Sequence, residues 1–142
     1  MKRMILAVLL LSSVCAFASA DPCTSDQTTK QHAFANITTA TTTSLVGVPT
    51  NPAQAIYVCS VSAQLFSTTT ASTLKLVTGT GAACSSPTTV TATYTNAAGA
   101  TAPVQIQGGN NVLTVPLTQG LCATSTVGST PAIAVDVTYV LQ

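Results

Sequence analysis

From Ala33 onward the apolar residues recur at every second position, in short runs broken by Gly, Pro and Asn, and no stretch carries a helical period of useful length. The last run is the plainest. Ile133, Val135, Val137, Tyr139 and Leu141 face one way, and Ala132, Ala134, Asp136 and Thr138 face the other. Residues 88–95 alternate as clearly, with Val90, Ala92 and Tyr94 opposed to Thr91, Thr93 and Thr95. Residues 53–65 form the longest candidate strand and place Tyr57, Cys59, Val61, Ala63 and Leu65 on one face. Ile56 and Val58 spoil that alternation, which points to a central strand covered on both sides at that end. Shorter runs lie at 33–38, 42–48, 72–78, 103–107, 112–117 and 120–123, and Pro49-Thr50-Asn51-Pro52, residues 67–72, Gly79-Thr80-Gly81, Asn96-Ala97-Ala98-Gly99 and Gly108-Gly109-Asn110 separate them. Strands at this spacing predict an all-β fold, a β-sandwich or jelly roll of about eight to nine antiparallel strands. Leu74, Leu76, Val115, Val135, Val137 and Tyr139 are its expected core.

The N-terminus follows a different rule. Met1-Lys2-Arg3-Met4 is basic, the next ten residues are almost wholly apolar, and Ala18-Ser19-Ala20 offers small residues in an A-x-A pattern. The apolar run is too short for a bilayer-spanning helix, which needs about twenty residues, and Asp21-Pro22 would break a continuing one. Residues 1–20 therefore read as a signal peptide, and the exported chain is expected to begin at Asp21. The remaining 122 of the 142 residues suffice for one domain. Residues 21–32 form a polar N-terminal tail, and residues 33–142 a single β-sandwich domain.

Charge removes whole classes of partner. After the leader, Lys30 and Lys75 face Asp21, Asp26 and Asp136, leaving one net negative charge. That is too little to track a phosphate backbone or an anionic membrane, so neither nucleic acid nor membrane is expected as a partner. The polar half of the chain is mostly Thr, which suits a pleated, half-buried surface. A surface so poor in charge repels its own copies weakly, which points to self-association or a protein partner, as in a protein that assembles or sits in an array.

Of five cysteines, Cys15 leaves with the leader; Cys23, Cys59, Cys84 and Cys122 remain. An even number behind a signal peptide reads as two disulfides, which places the chain outside the cytosol: extracellular, periplasmic or surface-associated. No close Cys pair of the kind that binds metal occurs. The favoured pairing is Cys59–Cys84 with Cys23–Cys122. Cys59 and Cys84 flank two consecutive strands, and a loop folding back from Gly79 would bring Cys84 near Cys59. Cys23–Cys122 would then tether the tail.

The segments IYVCSV (56–61), TGTGAAC (78–84), QGLCATS (119–125) and VTYVLQ (137–142), after a Thr-rich lead strand ending in LVGV (45–48), resemble a group of small cysteine-stapled β-sandwich proteins. These are seen in bacteriophage, bacterial and environmental genomes, mostly without assigned function. Their pattern is a V-C strand, a G-T-G-x-x-C loop, an L-C strand and a final strand with Tyr. The likeness covers most of residues 40–142. Gln119-Gly120 precedes Leu121-Cys122 directly, a departure in spacing. The resemblance implies a virion-surface or cell-surface role and carries over no catalytic residue.

Catalysis requires a base poised near neutral pH or an activated nucleophile. His32 is the only histidine, and it falls in the tail, with Asp136 expected on a distant strand face. Glu is absent, so a carboxylate pair for glycoside hydrolysis would have to come from three Asp. The glycine-rich stretches open no helix and read as turns rather than phosphate cradles. Asn36-Ile37-Thr38 matches the glycosylation sequon, which is inert in a bacterial or phage setting. There is no Trp, and of the aromatic residues only Phe66 is expected at the surface. The chain is thus expected to be no enzyme and to hold no catalytic residue, cofactor or metal. It reads as a secreted or surface-displayed structural protein, such as a virion decoration or fibre component or a cell-surface coat protein. Virion assembly in the cytosol would fit poorly with disulfides and a signal peptide. The alternative is a secreted binding module recognising glycan or protein through loops at one end of the sandwich.

Overall fold

A computed structural model describes residues 21–26, 28–66, 70–107, 111–126 and 133–142. The expected signal peptide and the turn at Gly108-Gly109-Asn110 lie outside these residues. Ten strands form among those described: β1 (Gln31–Ile37), β2 (Thr42–Val46), β3 (Ile56–Phe66), β4 (Ser72–Thr80), β5 (Ser85–Thr89), β6 (Tyr94–Asn96), β7 (Thr101–Gln107), β8 (Leu113–Val115), β9 (Gly120–Thr126) and β10 (Ile133–Leu141). They build two antiparallel sheets. One runs β1-β10-β3, with β7 and β8 lying in succession along the far edge of β3; the other runs β2-β9-β4, with β5 and β6 in succession along β4. The pairing is nested. β1 takes β10, β2 takes β9, β3 takes β7 and β8, and β4 takes β5 and β6. A long hairpin rolled into two layers has this order, which is that of a jelly roll. The extra segments arise because two edge strands are interrupted.

One interruption has a visible cause. Residues 88–95 were expected to form a single strand, yet the ladder on β4 breaks between Thr89 and Tyr94. Val90 N still donates to Leu76 O (3.0 Å), but Leu76 N donates to the Thr91 hydroxyl (2.9 Å) rather than to a carbonyl. A threonine side chain can replace a backbone acceptor in this way, and the main chain then departs from the ladder. The paired segment instead starts earlier, at Ser85, and includes Pro87, tolerable because β5 is an edge.

The alternation of β10 places Ile133, Val135 and Val137, all 0% exposed, against the facing sheet. Leu74 and Leu76 of β4 and Leu121 and Ala123 of β9 meet them from that sheet, and Val115 of β8 joins the same core from the sheet of β10. Burying each such aliphatic side chain stabilises the fold by about 1.5–3 kcal/mol. Tyr139, expected fully in the core, is only partly buried; its ring packs on the core while its hydroxyl donates to Gln31 Oε1 (2.9 Å). That polar end accounts for its position at the rim.

β3 departs from a simple two-residue period. Thr138 lies opposite Ser60 and Tyr139 opposite Val58, so Cys59 has no partner across the ladder. This bulge reverses the faces of the strand. Above it Val61, Ala63 and Leu65 point inward; below it Ile56 and Val58 do so, and Tyr57 and Cys59 turn outward to a separate cluster with Val140 and Cys23. The expectation that Tyr57, Cys59 and Val61 share a face is corrected accordingly.

Candidate functional site

Both disulfides form among the described residues, but with partners other than those expected. Cys23 bonds Cys59 (Cα–Cα 5.3 Å) and Cys84 bonds Cys122 (Cα–Cα 6.3 Å). The pairing Cys59–Cys84 with Cys23–Cys122 assumed that β3 and β4 form a hairpin in one sheet. They lie in different sheets, so the connection after Phe66 crosses the sandwich. Cys59 and Cys84 then sit on opposite outer faces, separated by two sheets whose packing distance is about 10 Å. Each disulfide clamps one outer face.

The first clamp makes residues 21–26 a folded clasp, where the sequence suggested a tail pinned only at Cys23. Asp21 organises it. One carboxylate oxygen accepts from Cys23 N (2.8 Å) and the other from Asn111 N (2.6 Å), while its carbonyl accepts from Thr24 N and Ser25 N. Pro22 and Cys23 are thereby buried, and Cys23 packs with Val140 and Tyr57, the outward apolar side chains below the bulge. The expectation of a strand covered on both faces holds at this end, and the clasp is what covers it.

The second clamp depends on the Gly79-Thr80-Gly81 turn. A Cβ at Gly79 would come within 2.7 Å of the Cys84 carbonyl carbon, and Gly81 has φ +70°. With Gly at both positions the loop folds flat on the sheet and Cys84, itself at φ 49°, reaches Cys122 and Val77. The fold-back was legible from the glycines; its destination was not.

His32 lies in β1, not in the tail. It stands opposite Thr138, with Phe34 opposite Asp136. The imidazole Nδ1 is 3.2 Å from Thr138 Oγ1 and 3.7 Å from Asp136 Oδ1. The expectation that Asp136 lies far from His32 is overturned, because every residue of β1 pairs with β10. Both groups are exposed, at 67% and 48%, and such a pair contributes about 0–1 kcal/mol. The nearest serine across the ladder from Asp136 is Ser62, whose hydroxyl is bonded to Gln105 Nε2 (3.2 Å). The group sits on an open sheet face, and no pocket opens on the described surface. It can hydrogen-bond a partner laid across the sheet, and it offers no enclosed place for a reacting carbonyl. No three His, Cys, Asp or Glu among the described residues stand close enough together to share a metal ion.

Phe34, expected inward, is 68% exposed and more open than Phe66 (38%) or Leu117 (53%). Ala33, Ala35 and Ile37 take the inner face of β1 instead. The period of β1 gives that face to the odd-numbered residues and turns Phe34 outward. On the other outer face, threonines form a ladder. Thr42 Oγ1 bonds Thr124 Oγ1 (3.1 Å), Thr73 Oγ1 bonds Thr126 Oγ1, and Thr95 stands opposite Thr73. Lys75 is the charge nearest them, opposite Thr124.

The two clamps share one end of the sandwich. Cys59 lies near the start of β3, Cys84 just past the end of β4 and Cys122 near the start of β9. Because the chain passes from the end of β3 to the start of β4 in the other sheet, the start of β3 and the end of β4 share one end of the sandwich. β9, antiparallel to β4, starts there, and Gln142, just past the end of β10, exchanges backbone hydrogen bonds there with Ala55 (2.7 and 3.2 Å). The connections after β1 and after β6, and the exposed ring of Phe66, lie at the opposite end.

Two disulfides fit an oxidising compartment. No helix among the described residues is long and apolar enough to cross a membrane. No protein-family model, curated protein or solved structure matches the chain.

Proposed function

We propose that residues 21–142 act outside the cytoplasm as a surface-displayed structural protein, a coat or decoration domain. The observation that carries this reading is the pair of clamps: each outer face of a threonine-coated jelly roll is held by its own disulfide. Each disulfide closes a loop of the unfolded chain and so stabilises the fold, whatever its surface charge. Residues 1–20 supply the export signal on this reading, and the oxidising compartment favours a cell surface over a virion assembled in the cytosol. The resemblance to small proteins of phage and bacterial genomes supports surface placement of either kind. Fractionation of the producing cells tests it. The expected result is a chain starting at Asp21, oxidised, in the envelope, on particles or in the medium. An uncleaved, reduced chain in the cytoplasm would refute it.

A second reading, a secreted module that binds glycan or protein, is favoured by Phe66, an exposed ring at the end opposite the disulfides. Aromatic faces stack on sugars and anchor protein interfaces. Binding to a glycan array that is lost in Phe66→Ala would support this reading over the first.

A further inference from the structure

We propose that the edge strand β1 is a dimerisation seam, pairing antiparallel with β1 of a second copy about a two-fold axis through Phe34. It deepens the structural reading above, on which it rests, by naming the partner and the contact.

Exposed strand edges are templates for pairing, and proteins blunt them with Pro, charge, bulges or brevity. Three of the four sheet edges here are blunted. The β5–β6 edge carries Pro87, a left-handed Ser86 (φ 52°) and the break after Thr89. The β7–β8 edge carries Pro103 and is interrupted before a three-residue β8. β2 has five residues and a register shift between Ser44 and Val46. β1 has none of these features. It has seven residues, an unbroken register with β10, no Pro, no Lys and no carboxylate. Among the described residues, no backbone hydrogen bond from Gln31–Ile37 reaches anything but β10.

The sequence of β1 is also matched to itself. The five central residues, His32-Ala33-Phe34-Ala35-Asn36, are symmetric in character about Phe34; only the end pair, Gln31 against Ile37, is unlike. Antiparallel pairing through Phe34 sets Phe34 against Phe34, Ala33 against Ala35, and His32 against Asn36. An isologous interface needs such self-complementarity. On the outer face the two Phe34 rings, each 68% exposed in the single chain, become a cross-strand aromatic pair. Beside them an imidazole meets an amide, two groups able to hydrogen-bond each other. On the inner face the small Ala33 and Ala35 raise no obstacle to closing the seam. Asp136 and its counterpart would lie three strand spacings apart, about 14 Å, beyond the screening length of about 8 Å at physiological salt. The result is one continuous sheet running through both copies.

Light scattering on residues 21–142 with both disulfides formed should give a dimer. Phe34→Lys places a charge on an already exposed position, so the fold should persist while dimer affinity falls about a hundredfold or more. Phe66→Lys, at the other exposed ring, should leave the dimer intact. Phe34→Cys should crosslink to itself under mild oxidation, because directly opposed residues lie within disulfide reach, whereas His32→Cys should not, since its opposite number is Asn36. A monomer at millimolar concentration, a dimer insensitive to Phe34→Lys, or equal crosslinking by the two cysteine variants would overturn the proposal. A monomeric chain found outside the cytoplasm would leave surface display standing and remove only the seam; a cytoplasmic chain would remove the display reading whatever its oligomeric state.

Discussion

Replacing Cys23 and Cys59 together by Ala tests the disulfide framework at its most informative point. The bond closes a loop with a sequence separation of 36, and Cys84–Cys122 closes one of 38. In the chain-entropy account a loop of this size stabilises by about 4 kcal/mol, and the two differ by less than about 0.1 kcal/mol. The two double variants should therefore lose nearly the same stability, and any inequality reports on local packing. The clasp supplies such a difference: if it detaches with its bond, Val140, now 1% exposed, and Tyr57 lose their cover. Urea melts followed by tyrosine fluorescence would read the losses, and for a domain of this size about 4 kcal/mol corresponds to roughly 12–20 °C in Tm. A thiol count on the same variant is sharper still. With Cys84 bonded to Cys122, residues 21–142 carrying Cys23→Ala and Cys59→Ala have no free thiol. Two free thiols, or a loss below about 1 kcal/mol in both double variants, would refute the framework.

Three further outcomes follow from the packing. Val137→Ala, at a site 0% exposed between the sheets, should destabilise by about 1–3 kcal/mol in a denaturant melt. Thr91→Val should cost about 1–2 kcal/mol, because Leu76 N loses its acceptor; hydrogen exchange at Leu76 should rise with it. His32→Ala should change stability by no more than about 0.5 kcal/mol, since the ring is 67% exposed, and a larger loss would mean that its contact with Asp136 and Thr138 matters more than its exposure implies.

What could be read from the sequence followed from the period of two. β10 alternates without interruption and takes its place in the core as its pattern says. β3 shows the limit of that signal. Ile56 and Val58 break the alternation whether the strand is covered on both faces or flipped by a bulge, and in the structure both happen at once, because the bulge at Cys59 turns that cysteine out toward the clasp that covers it. The cysteine pairing was out of reach for a related reason. It depends on which sheet each strand joins, and a connection that crosses the sandwich looks in sequence like one that turns within a sheet. His32 and Asp136 lie more than a hundred residues apart in sequence, and only the pairing of the first strand with the last joins them. The break at Val90 rests on one threonine hydroxyl, in a segment where every second residue is threonine.

The clamps also decide how far the domain can be drawn out. A pull applied at Asp21 and Gln142 passes straight from Cys23 to Cys59 and from Cys84 to Cys122. The residues between the members of each pair carry no tension, so β1 and β2, and β5 to β8, stay slack inside closed loops. Of the chain links from Asp21 to Gln142 only about 47 can lengthen. Fully stretched at about 3.5 Å each, they reach about 160 Å, where the reduced chain would reach about 420 Å. Reduction would therefore convert a short, stiff tether into one more than twice as long, with every peptide bond unchanged.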